Sequence, residues 1–429
     1  MKTLDRINQP AIKIPDKISL LKPEEIKLDN GILVNSINAG TQDVVKIECI
    51  FRAGVWYQDK KLLAFSTIKM LTEGTKKHSA SRLAEIFDSH GAFIETEAEK
   101  DNTYISLYCL NKHLEKLLPV LAEMINEPTF PQNELSVFLE NTKQEQLVSM
   151  QRVSFLARLK FTEQLFGAKH PYGQSAAIED YDNVERNEII SYHKKNYHAG
   201  NMRMIVSGKV NKNTLKLVNT YFGNSVRLKP GKTEKERVLE TSGSKNKKAF
   251  FPQKDAIQSG IRIGKMLFTK KDPDYFGMLV LNMILGGYFG SRLIKNIRED
   301  KGYTYGIGSG IMSMRNAGYF YIASEVGADV RKQAVREVYK EIERLRKEPV
   351  LPEELNLVKN YMIGSFLRSI DGPFALADKL KGIIDYDLDF TKYYSQYIQT
   401  IKKITSKQLL ELANRHLRED SIYETVVGK

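Results

Sequence analysis

The chain has 429 residues, 42% hydrophobic and 27% charged, with 65 Lys and Arg against 52 Asp and Glu for a formal net charge of +13. That length exceeds one ordinary core and calls for two domains or more, and the balance is that of a globular protein. The positive surplus is scattered among acids, as in KEIERLRKEP (340–349), with no basic and aromatic platform; this argues against nucleic acid and leaves a solvated surface biased towards acidic partners or peptides.

In chain order, the first seventeen residues, MKTLDRINQPAIKIPDK, carry Asp, Asn and Pro where a signal peptide needs an apolar core, and lack the Arg and Ser richness of a transit peptide. A cytoplasmic protein is expected. Val45 to Phe51 reads as a strand, Leu62 to Leu71 as a helix and Tyr104 to Leu110 as an alternating strand. Cys49 and Cys109, the only cysteines, lie in these apolar runs and read as two buried thiols in a reducing compartment rather than a disulfide. Helices are expected over His113 to Ile125 and Asn133 to Gln151, with Pro128 and Pro131 marking the join. Later come strand Gln258 to Ile263, helix Tyr275 to Leu285, strand Gly318 to Ser324 and helices Val330 to Lys347 and Pro352 to Leu367. The longest apolar run, Met278 to Leu285, is broken by Asn282 and is too short to cross a bilayer.

The chain repeats itself at long period. Ser81-Arg82-Leu83 returns as Ser291-Arg292-Leu293, Glu127-Pro128 with Leu135 as Glu348-Pro349 with Leu355, and Val206-Ser207-Gly208-Lys209 as Val426-Val427-Gly428-Lys429, at offsets of 210, about 220 and 220 residues. Three anchors in order imply a duplicated domain. The polar stretch from Arg227 to Lys248 is the best connector, giving an N-terminal domain at 1–226, a linker at 227–250 and a C-terminal domain at 251–429. Strands mixed with long helices predict an α+β fold of two homologous domains, each a mixed, mainly antiparallel sheet packed with helices.

The stretch LLAFSTIKMLTEGT (62–75) resembles the zinc-binding helix of the insulinase and pitrilysin family, the inverzincins, which carry H-x-x-E-H in this frame. Ala64, Met70, Leu71, Gly74 and Thr75 keep the frame, while the motif positions hold Phe65, Ile68 and Lys69. Spacing i, i+3, i+4 would aim three donors at one point, but Phe and Ile have no lone pair to offer and a protonated Lys repels a metal. Lys69 reads either as a stand-in for the missing metal charge or as an ordinary exposed helix lysine. The family's further ligand, a Glu on a later helix, falls on Leu147 if Glu140 marks the register, with Glu145 nearby; one carboxylate would not hold catalytic zinc. His193 and His198, five apart, do not share a helical face and make no metal pair.

LGGYFGSRLIKNIREDKGYTYGIGS (285–309) resembles the family's C-terminal signature, whose Arg and Tyr bind the substrate backbone and stabilise the oxyanion; here they are Arg298 and Tyr305. Gly286, Gly287 and Gly290 lack phosphate-loop spacing and read as a tight turn with close backbone approach. Further landmarks at Gly74-Thr75, His170 to Gly173 and Tyr197 to Gly208 extend the resemblance from about Gly31 to the C-terminus. In the family's bacterial two-chain branch, one subunit carries the zinc motif and a sister carries the Arg and Tyr; this chain resembles the sister. The resemblance implies a heterodimer with a zinc-motif-bearing paralogue around peptide substrates. Zinc, general base and attacking water would belong to the partner, and this chain would hold no cofactor and cleave no peptide alone. The rival readings are a structural scaffold, like the family's silent core subunits of respiratory complexes, and an independent hydrolase or ligand binder with an unseen site.

Overall fold

The computed structural model describes Pro15 and residues 18–224 and 239–429. In the first half the order is β1 (Glu24–Lys27), β2 (Leu33–Asn38), β3 (Val44–Phe51), α1 (Leu63–Lys69), α2 (Ala80–Ser89), β4 (Phe93–Ala98), β5 (Thr103–Leu110), α3 (Leu114–Asn126), α4 (Gln132–Met150), α5 (Val153–Phe166), α6 (Ile178–Asp182), α7 (Arg186–Asn196), β6 (Met202–Gly208) and α8 (Lys212–Val218). The second half has β7 (Lys248–Pro252), β8 (Gln258–Leu267), α9 (Tyr275–Asn282), β9 (Ile307–Ser313), β10 (Gly318–Gly327), α10 (Arg331–Lys347), α11 (Pro352–Arg368), α12 (Pro373–Ile384), α13 (Phe390–Lys403), α14 (Ser406–His416) and β11 (Tyr423–Gly428).

The first sheet runs β1-β2-β6-β3-β5-β4 and the second β7-β11-β8-β10-β9. Only β2 with β6 and β7 with β11 run parallel, so both sheets are mixed and mainly antiparallel, as the α+β expectation required. β10 shows why: its residues alternate buried and half-buried along its whole length, with Phe320, Ile322 and Val326 turned into the core. β8 runs four residues past the expected end at Ile263, pairing with β10 as far as Leu267, and its Gly264 admits the Phe320 carbonyl oxygen 2.0 Å from where a Cβ would stand. The expected helix from Tyr275 is α-helical only to Asn282 and finishes as a π turn over Met283–Gly287.

The Val-Gly-Lys repeat anchor has a physical cause. Gly208 and Gly428 close the equivalent strands β6 and β11 at φ +121° and +145°, and a Cβ would lie 2.3 Å from the Val44 oxygen in one case and 2.7 Å from Ser259 Cα in the other. Only glycine fits both constraints. Of the 227–250 connector, residues 227–238 lie outside those described. Ser242 and Ser244 bond back to the C-terminal end of α5, N–H to the Phe166 and Gln164 carbonyls at 3.2 and 2.8 Å, and β7 opens at Lys248.

The two halves exchange helices. α5, from the first half, packs on β8 and β11 of the second sheet; α12, its counterpart 220 residues on, packs on β6 and β2 of the first. Ile37, Ile50 and Ile205 of the first sheet therefore belong to the second half's core, alongside Leu376, Ala377 and Leu380 of α12. Each buried Leu or Ile contributes roughly 1.5–3 kcal/mol. This cover also buries charge: Lys46 and Glu48 on β3 are 3% and 1% exposed, paired at 3.1 Å, with Asp378 of α12 3.2 Å from the Lys46 ammonium and Lys381 3.5 Å from Glu48. Burial alone would lower the Lys46 pKa, but the Glu48 and Asp378 carboxylates hold it above the ordinary lysine range. Among the described residues no helix is long and apolar enough to cross a membrane.

Candidate functional site

α1 starts without a side-chain cap, from Leu62 in the left-handed region at φ 70°. Its motif positions are filled rather than vacant. Phe65 stacks on Phe138 of α4 with ring centroids 5.5 Å apart, and Ile68 is fully buried in the first-half core. Lys69 is half-buried and donates to the Thr96 carbonyl of β4 at 2.7 Å, so it is not the ordinary exposed lysine. With the cation bonded to an edge-strand carbonyl and two apolar side chains packed, these three positions offer a metal no donor. On α4, Glu140 accepts from Gln144 at 2.9 Å, and both Glu145 and Leu147 are exposed. Among the described residues no group of three or more His, Cys, Asp or Glu side chains could hold an ion.

Arg298 and Tyr305 lie in the segment between α9 and β9, on the edge-strand side of the second sheet. Residues Ile294–Asp300 form a π-helical stretch that buries Ile294 and Ile297 and leaves Arg298 on the outer side. Its guanidinium stacks 5.0 Å from the centroid of the exposed Phe289 ring. Tyr305 is 94% exposed, yet its loop is fixed: the Thr304 hydroxyl donates to the Glu325 carbonyl at 2.5 Å, and the Ser324 hydroxyl donates to the Gly306 carbonyl at 2.9 Å. Among the described residues neither the guanidinium nor the phenol makes a hydrogen bond or ion pair, and no hydrogen bond or ring contact joins them. The Gly286 turn behaves as expected, with the Ser309 nitrogen of β9 only 2.8 Å from a would-be Cβ. The Arg and Tyr are thus carried by the second-half core and the α1 positions by the first.

Tyr305 borders a pocket of about 510 Å³ whose other walls include Ser154 at the start of α5, Gln258, Arg262 and Glu325. Arg262 is a site residue that no motif in the sequence marks. Burial lowers its pKa from the usual guanidinium value, and it stacks 5.4 Å from the Tyr321 centroid. Its signal in the sequence was one cation between Ile261 and Ile263, which places it on the opposite face of β8 from the core. Arg298 does not line this pocket.

The histidine and cysteine readings also have structural outcomes. His193 is buried, bonds through Nε2 to the Ile125 carbonyl at 2.8 Å, and is pushed down to about 4 by burial. His198 lies beyond the end of α7. Cys49 and Cys109 are both free and buried, with burial pushing the Cys109 thiol up to about 12.

A duplicated α+β chain, with Phe65, Ile68 and Lys69 at the metal-helix positions of one half, has the layout of a metallopeptidase homologue. The profile described as "Insulinase (Peptidase family M16)" matches residues 33–166, and that described as "Peptidase M16 inactive domain" matches 183–362. The chain belongs to the insulinase family, peptidase family M16. A Helicobacter pylori protein described as a non-peptidase homolog, YmxG, is 26% identical over 333 residues, 74% of each chain. A Rickettsia felis protein described as an uncharacterized zinc protease is 25% identical over 397 residues, 91% of this chain and 93% of its own. A peptidase M16 inactive domain from Pseudomonas fluorescens superposes with TM-score 0.86 at 24% identity, over 95% of this chain and 98% of that one. A Helicobacter pylori protease superposes equally well, TM-score 0.86 at 17% identity, over 96% and 100%.

Proposed function

We propose that this chain is the non-catalytic subunit of a cytoplasmic two-chain zinc peptidase, contributing Arg298 and Tyr305 to a site whose metal belongs to a paralogous partner. The observation that carries this reading is the contrast between the two halves. The metal positions are packed with Phe65, Ile68 and a bonded Lys69, whereas the half-buried Arg298 guanidinium on its π-helical stretch and the exposed Tyr305 phenol on its fixed loop make no hydrogen bond or ion pair among the described residues. A fully exposed tyrosine on a rigid loop contributes little to stability and is well placed to meet something else. In the complex, Arg298 orients the peptide backbone, and the Tyr305 hydroxyl donates to the scissile carbonyl oxygen as it gains charge. Zinc, general base and water come from the partner, which is physically reasonable because these roles need proximity in space rather than one chain.

The test is to purify the chain alone and with an H-x-x-E-H-bearing paralogue from the same source, and to measure bound zinc and peptide cleavage. The pair should cleave and the lone chain should not. Within the pair, Arg298→Ala and Tyr305→Phe should each lower turnover by about 10²-fold, as lost oxyanion donors do. Full activity in both variants overturns the residue assignment. Failure of the two chains to associate replaces this reading with the scaffold role.

A further inference from the structure

The edge of the second sheet farthest from Arg298 and Tyr305 carries a groove that none of this chemistry uses. β7 is its terminal strand, and its ladder with β11 is bracketed by Glu424 N–H to the Lys247 carbonyl at 2.7 Å and Gln253 N–H to the Gly428 carbonyl at 2.8 Å. Residues of a parallel strand alternate in turning their backbone towards the partner, so Ala249 and Phe251 face β11 and Phe250 faces outward. Among the described residues no strand pairs with that outer edge, and the Phe250 ring is 48% exposed.

Beside this edge, the first turns of α10 supply Arg331, Lys332 and Arg336, and β7 supplies Lys248, to a pocket of about 410 Å³. The Arg331 guanidinium lies 4.4 Å from the Phe250 centroid and donates to the Lys429 carbonyl at 2.8 Å, while the Lys248 ammonium lies 4.9 Å from the Tyr339 centroid. Glu424, the acid in the lining, accepts from the Tyr339 hydroxyl at 3.1 Å. Lys248, Lys332 and Arg336 have no ion-pair partner among the described residues. Further along the same helix the pattern is the reverse, with Lys340, Arg344 and Lys347 all paired to α10 or neighbouring carboxylates. Unpaired cations therefore crowd where a strand edge is open, and the N-terminal end of a 17-residue helix adds partial positive charge there.

We propose that this groove docks an extended acidic segment of a partner protein. The segment's backbone adds to β7 at Phe250, and its carboxylates lie against Lys248, Lys332 and Arg336. A polypeptide satisfies both the N–H and the C=O of Phe250, whereas a phosphodiester backbone carries acceptors only and leaves the C=O unmet. The acidic complement follows from the charge of the walls.

Fluorescence anisotropy with a labelled peptide of alternating Glu and Val tests this on the full chain. Binding should weaken about tenfold or more in the exposed double variant Lys332→Glu/Arg336→Glu, with its thermal midpoint unchanged, and by a similar factor when Gln replaces Glu in the peptide. Methylating the central peptide nitrogens should abolish binding without altering charge, which a purely electrostatic surface would not register. No binding by the wild type, equal affinity in the double variant, equal affinity of the methylated peptide, or a single-stranded oligonucleotide of equal charge binding as tightly would each overturn the proposal.

Discussion

Adding the same methyl group at two glycines should move stability in opposite directions. At Gly260 in β8 a Cβ would stand 2.5 Å from the Val153 carbonyl oxygen and 2.9 Å from the Ser154 nitrogen. Both are backbone atoms at the start of α5, so relief requires lifting the exchanged helix from the second sheet. A contact almost an ångström too close belongs at the upper end of the roughly 1–3 kcal/mol cost of overpacking. The alanine also narrows the unfolded ensemble, which returns about 0.4–1 kcal/mol. The net expectation for Gly260→Ala is a loss of about 2 kcal/mol, or roughly 4–8 °C for a unit of some 200 residues. At Gly364, inside α11, no heavy atom lies within 4 Å of the added Cβ. There Gly364→Ala should gain about 0.5–1 kcal/mol from helix propensity alone. Thermal and urea unfolding followed by circular dichroism reads both, and limited trypsin digestion at Arg152, Arg158 and Lys160 reads the loosening of α5. An unchanged midpoint for Gly260→Ala, or shifts of the same sign at both positions, would refute the account of how α5 is seated.

Two buried ionisable sites carry separate expectations. His193 is held neutral with a folded-state pKa of about 4 against 6.5 unfolded, so stability is complete above about pH 6.5 and falls by about 3 kcal/mol as pH drops towards 4; in His193→Phe the urea midpoint should lose that slope, and an identical slope would show that another group titrates. Lys46→Ala leaves Glu48 with the Ser106 hydroxyl at 3.0 Å and Lys381 at 3.5 Å and should cost about 3 kcal/mol, whereas Lys46→Met/Glu48→Leu should be neutral within about 1 kcal/mol. Because the folded-state value of Lys46 lies above its unfolded one, its contribution is complete below about pH 10 and fades only as pH rises further, so a pH 7 to 9 series should show no change from this pair.

What could be read from the sequence was local. Apolar alternation located β3, β5, β8 and β10, and Pro128, Pro131 and the paired glycines marked the turns, because those signals depend on neighbours within a few residues. The helix exchange could not be read that way. Lys46 and Glu48 sit in what looks like an ordinary strand, and only a helix more than 300 residues later explains why two charges there are buried. The π-helical setting of Arg298 was equally hidden, since π and α stretches share their residue preferences, and the sequence pointed to the residue without its orientation. Lys69 escaped for a third reason: its partner is a backbone carbonyl, and a carbonyl has no sequence identity.

The packing at α1 shows what a metal ion would have to displace. Removing three donors from a buried helix face would leave a cavity and unmatched polar groups, each carrying a cost. Here each position has a packing role: Phe65 closes on Phe138, Ile68 completes the first-half core and Lys69 satisfies a carbonyl on the edge strand β4. Restoring His, Glu and His would return a carboxylate to a site that is now fully buried and would free the Thr96 carbonyl, so the reversal opposes the packing at every position. At the other site Tyr305 is left exposed, and Arg298 is covered on one side by the Phe289 ring. The α1 positions are packed or bonded, whereas among the described residues the Arg298 guanidinium and the Tyr305 phenol make no hydrogen bond or ion pair, and the proposed function rests on that contrast.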